Sequence, residues 1–247
     1  MRTYNNPWIP AEALSILERH TDSILDVGGG LSPYSSATHI VDIQPYSDER
    51  LRENAWPVGE SAKGWAESEY TQMDIISTPH WPFETNQFDL GLSSHCLEDL
   101  RDPIPAVREL ARVCRKILII CPSRLLEQTR GIDHPRFCGF SHHPWAVYAE
   151  GSRLLFRRKT PMLMLPQAHI ACPIGKTLRI EDGSMFFYGE TVEPEEQVFW
   201  SEEEDLSDYA RFIDPYRSRR SLFVDDGRRH TAFFWIWKLR QKIQGRP

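Results

Sequence analysis

Ile24-Leu25-Asp26-Val27 runs straight into Gly28-Gly29-Gly30, and a second apolar run, His39-Ile40-Val41, ends in Asp42. The first segment reads as a short buried strand entering a turn where no Cβ keeps a ligand away from the backbone. An acid at the end of the next strand is placed to accept from both hydroxyls of a ribose. Together they point to a nucleoside-bearing cofactor at the carboxyl ends of parallel strands. The bland alternative is a tight turn with a surface aspartate. Gly28-Gly29-Gly30-Leu31-Ser32-Pro33 lacks the third glycine of GxGxxG, which counts against a dinucleotide.

The rest of the first two-thirds alternates apolar runs with helical patterns, as a mostly parallel α/β sheet requires. The spacing predicts a helix over Ala11–His20, with Pro10 at its first turn. Weak strand character follows at Tyr70–Ile75 and a stronger strand at Phe88–Ser93. Ile104, Val107, Leu110, Ala111 and Val113 gather on one side of a helix over Pro103–Val113. Ile117–Cys121 is continuously apolar, as expected of a central strand covered on both faces. Ser47–Ser68 reads as an irregular polar excursion with room for one helix. The run from Pro144 to Lys159 predicts a β-hairpin turning at Glu150-Gly151-Ser152. A soft boundary is expected near residue 160, with a core over 1–160 and a C-terminal extension over 161–247 packed on it.

Composition narrows the function classes. The chain of 247 residues is 40% hydrophobic and 26% charged, enough for a real core. With 29 Lys+Arg against 35 Asp+Glu, the net charge of -6 disfavours a protein built to grip a phosphate backbone. No run approaches the length of a membrane-spanning helix, and the opening MRTYNNPWIPAE lacks the apolar region of a signal peptide. The five cysteines are odd in number and form no CxxC pair, so buried reduced thiols in a cytoplasmic protein are expected. Nine histidines show no HxxxH or Cys/His ligand spacing, and no metal is expected.

The order ILDVGGG, HIVDI and then MDIISTPHWPFETNQFDLGLSSHCLEDLRDPIPAVRELARVCRKILIICPS resembles the class I S-adenosylmethionine-dependent methyltransferases, closest to the methyltransferase-11-like group. The resemblance spans roughly residues 20–160 and is most specific from Trp81 to Pro122. It implies a Rossmann-like sandwich, a mostly parallel central sheet with a C-terminal β-hairpin and extension, and S-adenosyl-L-methionine as cofactor. Gly28 and Gly30 are carried over as backbone contacts, and Asp26 as organiser of the turn and contact to the methionine amino group. Asp42 is carried over for the ribose hydroxyls, Asp74 with Ile75 for the adenine end, and Ser93, Ser94 and His95 as lining. Three departures stand out: Gly29 where cysteine is common, a short Asp26-to-Asp42 interval that abbreviates the crossover, and Asp99 where histidine is frequent.

Methyl transfer needs an in-line approach, exclusion of water, and a base only when the acceptor carries a proton. His95 at a strand end and His143 in Phe140-Ser141-His142-His143-Pro144-Trp145 are the candidate catalytic residues. The competing reading has these histidines capping strands. Arg124 is a candidate for an acidic substrate group or a surface salt bridge. Glu98-Asp99 read as solvated or capping carboxylates, and the acidic run around Glu202 as a solvated face. The expected function is methyl transfer to a small-molecule or glycan-like acceptor. A non-catalytic S-adenosylmethionine-binding or scaffold protein and a nicotinamide-dependent oxidoreductase are the rivals. Phe233–Trp237 with Lys238, Arg240 and Lys242 suggests packing on the domain or a homodimer through the extension, ahead of a membrane interface, and Arg217, Arg219, Arg220, Arg228 and Arg229 are a lesser candidate for RNA.

Overall fold

The structure, a computed structural model, describes residues 9–20, 22–56, 64–134, 137–159, 169–171, 176–178, 183–197 and 223–225. Cys172, the acids around Glu202 and the aromatic-basic tail lie outside the described residues. Four helices are described: α1 (Ala11–Arg19), α2 (Asp48–Asn54), α3 (Ile104–Val113) and α4 (Arg124–Gln128). The strands begin with β1 (Ile24–Val27), β2 (His39–Asp42), β3 (Tyr70–Gln72), β4 (Phe88–Ser94) and β5 (Cys114–Pro122). They continue with β6 (Thr129–Arg130), β7 (Trp145–Glu150), β8 (Arg153–Arg158) and β9 (Ile170–Ala171). The last are β10 (Lys176–Leu178), β11 (Ser184–Gly189), β12 (Glu193–Gln197) and β13 (Phe223–Asp225).

The central sheet has six strands in the order β11-β5-β4-β1-β2-β3, parallel throughout except for β11, which runs antiparallel to β5. β5 shows why the sheet is buried on both faces. Ile117, Ile119 and Cys121 join one apolar cluster, while Leu118 and Ile120 join the other, as period-two side chains must. On the first face α3 contributes Ala106, Val107, Leu110 and Val113, and the β7–β8 hairpin adds Trp145, Val147, Leu154 and Phe156. The second face is covered by Ala13, Ile16 and Leu17 of α1, Leu51 of α2, and Trp56 and Trp65. The result is an α/β sandwich with a mostly parallel sheet. Among the described residues no helix is long and apolar enough to cross a membrane.

Two local devices position the site. The connection from Gly28 to Thr38 contains no helix, so β1 reaches its parallel neighbour β2 through an extended loop. That loop is pinned by Trp65, whose Nε1–H donates to Ala37 O at 2.8 Å, and by a bridge between Tyr34 and Trp56. On the opposite face Glu109 and Arg112 of α3 hold the Trp81–Phe83 segment. Trp81 N donates to Glu109 Oε2 at 2.7 Å, and Arg112 donates to Phe83 O at 2.9 Å and Trp81 O at 3.1 Å. The predicted hairpin is present, its turn carrying Gly151 at φ +63°, the left-handed region glycine tolerates.

Beyond residue 160 the sequence patterns are weaker and the structure adds more. β11 completes the main sheet, and β12 pairs in parallel with β8. Arg153 pairs with Glu195, and Arg158 reaches Glu196 at 3.3 Å, so part of the acidic stretch is a charged strand face. The described cysteines are free thiols, with Cys114, Cys121 and Cys138 buried. Burial pushes Cys114 and Cys121 well above the ordinary thiol value and Cys138 up to about 12, as inert structural thiols require.

Candidate functional site

The carboxyl ends of β1 and β2 bring the predicted cofactor residues together. Gly30 N donates to Asp42 Oδ2 at 2.8 Å, and Gln44 N donates to Asp42 Oδ1 at 2.7 Å. Asp26 is turned the other way, accepting from Tyr34 N at 2.7 Å. Burial pushes the Asp26 carboxyl up to about 7, against the Tyr34 bond and with a further push from Asp42. Gly28 stands at φ +83°, and a Cβ there would lie 2.3 Å from Cys96 Sγ, so no other residue fits this turn without displacement. Leu31 and Ile43, the residues after Gly30 and Asp42, are large apolar side chains exposed by 62% and 61%.

Asp74 and Ile75 follow β3, whose end is tied to β2 through Met73 N donating to Asp42 O at 2.9 Å. Asp74 closes its own turn, with Oδ1 accepting from Ile76 N at 2.9 Å and Oδ2 from Ser77 Oγ at 2.8 Å. Those two partners, Ile76 first, hold its carboxyl below the ordinary value. Ile75 is buried in the apolar core.

At the end of β4 the chain makes a strained exit. His95 adopts φ +51°, a conformation costing a non-glycine residue roughly 1–3 kcal/mol, and its N–H donates to Ile120 O at 2.8 Å. The Oγ atoms of Ser93 and Ser94 and His95 Nε2 are buried and have no hydrogen-bond partner. The following 3-10 turn, Leu97–Asp99, points Glu98 inward, where it is 1% exposed. This corrects the expectation of a solvated carboxylate there. His95 Nδ1 lies 3.4 Å from Glu98 Oε1, an ion-pair distance longer than a good hydrogen bond. Burial pulls the Glu98 carboxyl up, but His95 and then His143 outweigh it and hold it below its usual value.

His143 lies opposite, and its neighbours were not readable from the sequence. Its Nδ1 donates to Glu127 Oε1 at 2.7 Å, and Lys159 Nζ donates to Glu127 Oε2 at 2.5 Å and Phe140 O at 2.6 Å. Glu127, His143 and Lys159 are all buried. Burial pulls His143 down, yet the Glu127 bond and charge, with Glu98 and Asp99 behind, hold the imidazole above its ordinary value. His95 and His143 share one cavity of about 220 Å³, lined also by Glu98, Asp99, Phe140 and His142. Arg124 is not on the surface: it is buried, donates to Gln128 Oε1 at 3.1 Å and lies 4.9 Å above the Tyr148 ring. Sequence reading missed Cys96, Glu127 and Lys159; only the apolar company of Glu127 in Leu125-Leu126-Glu127 hinted at a buried acid.

With this geometry in place, residues 25–120 match the model of the methyltransferase domain family. A Bacillus halodurans protein described as a candidate methyltransferase is 19% identical over 46% of this chain and 50% of its own, with a TM-score of 0.34. The YcgJ protein of Bacillus subtilis is 19% identical over 46% and 52%, with a TM-score of 0.32. A SAM-dependent methyltransferase of Aquifex aeolicus is 18% identical over 46% and 65%, with a TM-score of 0.30. The matched part therefore spans between half and two thirds of each of these structures. Among curated proteins none matches.

Proposed function

We propose that the chain, whose residues 25–120 match the methyltransferase domain family, transfers the methyl group of S-adenosylmethionine to a small-molecule or glycan-like acceptor beside His95 and His143. One juxtaposition carries the reading. The segment Ser94–Cys96 borders both halves of the site, with Cys96 against Gly28 of the glycine turn and His95 on the cavity wall. A cofactor cradle and a polar acceptor cavity thus share one sheet edge.

The residues present fit this cofactor. Asp42 is oriented by two backbone amides and keeps further lone pairs for ribose hydroxyls. Asp26 is a buried acid with no cation beside it, and its raised value makes it receptive to the amino group of a methionine end. Leu31 and Ile43 offer apolar cover for an adenine, and the unpartnered Ser93 and Ser94 hydroxyls offer polar contacts at the other side. Asp74 would reach the adenine amine only with lone pairs left over from its own turn.

When bound, S-adenosylmethionine supplies a methyl group activated by the positive sulfur. The chain aims the acceptor, excludes water and takes a proton where the acceptor carries one. His95 Nε2 has no protein partner and serves as proton acceptor, with Glu98 beside Nδ1 stabilising the imidazolium that forms. His143, fixed through Nδ1 by Glu127, presents Nε2 toward the acceptor side. A cavity of about 220 Å³ admits the reacting end of a small molecule or one sugar unit. A cytoplasmic setting with reduced thiols belongs to the same reading.

Calorimetric titration with S-adenosylhomocysteine, on the wild type and on Asp42→Ala, tests it. Micromolar binding that the substitution abolishes is expected, followed by an acceptor screen scored by S-adenosylhomocysteine release. A folded wild type that binds none overturns the proposal.

A further inference from the structure

The acceptor-side cavity holds a constellation of which methyl transfer uses only His143. Asp99 closes the 3-10 turn after β4, and His142 and His143 precede β7. One ligand atom of each lies within 4.8 Å of the others. Asp99 Oδ1 is 3.4 Å from His143 Nε2 and 3.8 Å from His142 Nε2, distances too long for hydrogen bonds. The three groups therefore face one another across a gap, and all three line the cavity.

We propose that Asp99, His142 and His143 bind one divalent first-row transition ion, with its remaining coordination positions open to the cavity. The donor set, two imidazoles and one carboxylate, suits zinc, cobalt or iron(II) and not the oxygen-loving magnesium or calcium.

Two independent observations support a ligand at this point. The first is the orientation of His143. Its Nδ1–H is committed to Glu127 Oε1 at 2.7 Å, and Glu127 is held in turn by Lys159. That arrangement leaves Nε2 facing Asp99, which is how a carboxylate behind a histidine prepares it for a metal, whose binding displaces any proton there. The second is Glu98, 1% exposed on the wall of the same cavity, with neither carboxylate oxygen hydrogen-bonded. A buried carboxylate so placed is costly unless positive charge is near, and its ion-pair partner His95, at 3.4 Å, carries charge only when protonated. Glu127 is neutralised by Lys159, so the cavity wall keeps the charges of Glu98 and Asp99 against imidazoles, a balance that a dication closes. Asp99 and His142 are exposed, with side-chain exposures of 45% and 62%, which gives an ion its way in.

With the ion bound, His143 Nε2 is a ligand and His95 remains the proton acceptor. Because its ligands are distinct from the glycine turn, the site stands or falls separately from cofactor binding. The sequence showed no sign of it, since Asp99 is far in sequence from the adjacent His142 and His143 and no ligand spacing repeats.

The test is titration of the chelator-treated full chain with Co²⁺, followed by visible absorption, with Zn²⁺ calorimetry alongside. One equivalent is expected to bind the wild type. Asp99→Ala and His142→Ala alter exposed side chains and should each weaken binding by at least about tenfold with unchanged circular dichroism. Asp42→Ala should leave Co²⁺ binding intact while losing S-adenosylhomocysteine. Wild-type affinity no tighter than that of Asp99→Ala overturns the proposal, as does stoichiometric binding that survives in the Asp99→Ala/His142→Ala double variant.

Discussion

Gly30 and Asp42 are bound across the sheet edge: the glycine amide donates to the aspartate Oδ2 at 2.8 Å, tying the turn after β1 to the end of β2. A Cβ on Gly30 would lie 2.4 Å from Asp42 Cγ, so a side chain at one residue must displace the carboxylate of the other. Gly30→Ala is therefore expected to cost about 1–3 kcal/mol of stability as an overpacking change. Its larger effect falls on S-adenosylhomocysteine affinity, with a loss of at least about tenfold, because Asp42, the proposed ribose acceptor, moves. Parallel melts and calorimetry separate the two, and unchanged affinity would contradict the assignment of Asp42.

Asp26 gives stability a pH dependence of known direction. Its carboxyl titrates near 3.8 in an unfolded chain and at about 7 in the fold, where burial disfavours the charge. Below about pH 4 both states are protonated. Between there and about pH 7 only the folded state keeps the proton, so its stabilising contribution declines as pH rises and is lost above 7. The span corresponds to an upper bound of about 4 kcal/mol. Asp26→Asn keeps an acceptor for Tyr34 N–H and should flatten this component. Urea unfolding at pH 5 and pH 8 measures it, and an identical pH difference in both proteins would refute the assignment. The proposed contact of Asp26 with the cofactor amino group predicts that S-adenosylhomocysteine binding tightens as pH rises toward 7, because that amino group favours the ionised carboxyl.

What the sequence made legible divides along physical lines. Ile24–Val27, His39–Asp42 and Phe88–Ser94 are strands within a residue or two of their predicted bounds, because local hydrophobicity and glycine placement suffice there. The hairpin of β7 and β8 was legible for the same reason. β12 was not: Glu193-Pro194-Glu195-Glu196-Gln197 has a composition that disfavours strands, and only pairing beside Arg153 and Arg158 makes it one. The same divide runs through the site. Asp26, Gly28, Gly30 and Asp42 are near neighbours in the chain, whereas Glu127 meets Lys159 across 32 positions. Glu98 read as solvated because an acid pair at a turn usually is; a 3-10 turn at the end of β4 rotates it inward.

Trp145 couples the core to the wall of the cavity that His95 and His143 share. Its Nε1–H donates to Leu100 O at 2.7 Å, immediately after the turn that carries Glu98 and Asp99. Arg158 covers the ring at 3.9 Å from its centroid. Trp145→Phe keeps much of the apolar packing but leaves the Leu100 carbonyl without this donor. A loss of about 1–3 kcal/mol is expected. The same change should weaken turnover of any acceptor more than it weakens S-adenosylhomocysteine binding, because the released turn belongs to the cavity wall. Equal losses in both would place the turn outside the acceptor site.

Glu127 and Lys159 make the sharpest stability prediction. Their side chains are 1% and 3% exposed, at 2.5 Å, with His143 on the second carboxylate oxygen. Lys159→Met strands a buried carboxylate and should cost about 3–5 kcal/mol. Glu127→Gln strands the ammonium and frees the His143 ring, with a cost of the same order. The double variant removes both charges and is expected to recover most of the loss, since desolvation offsets much of what a buried pair gains. A double-mutant cycle by urea denaturation therefore predicts strong non-additivity. Additive losses would mean that water reaches the pair and that the wall behind His143 is softer than its burial implies.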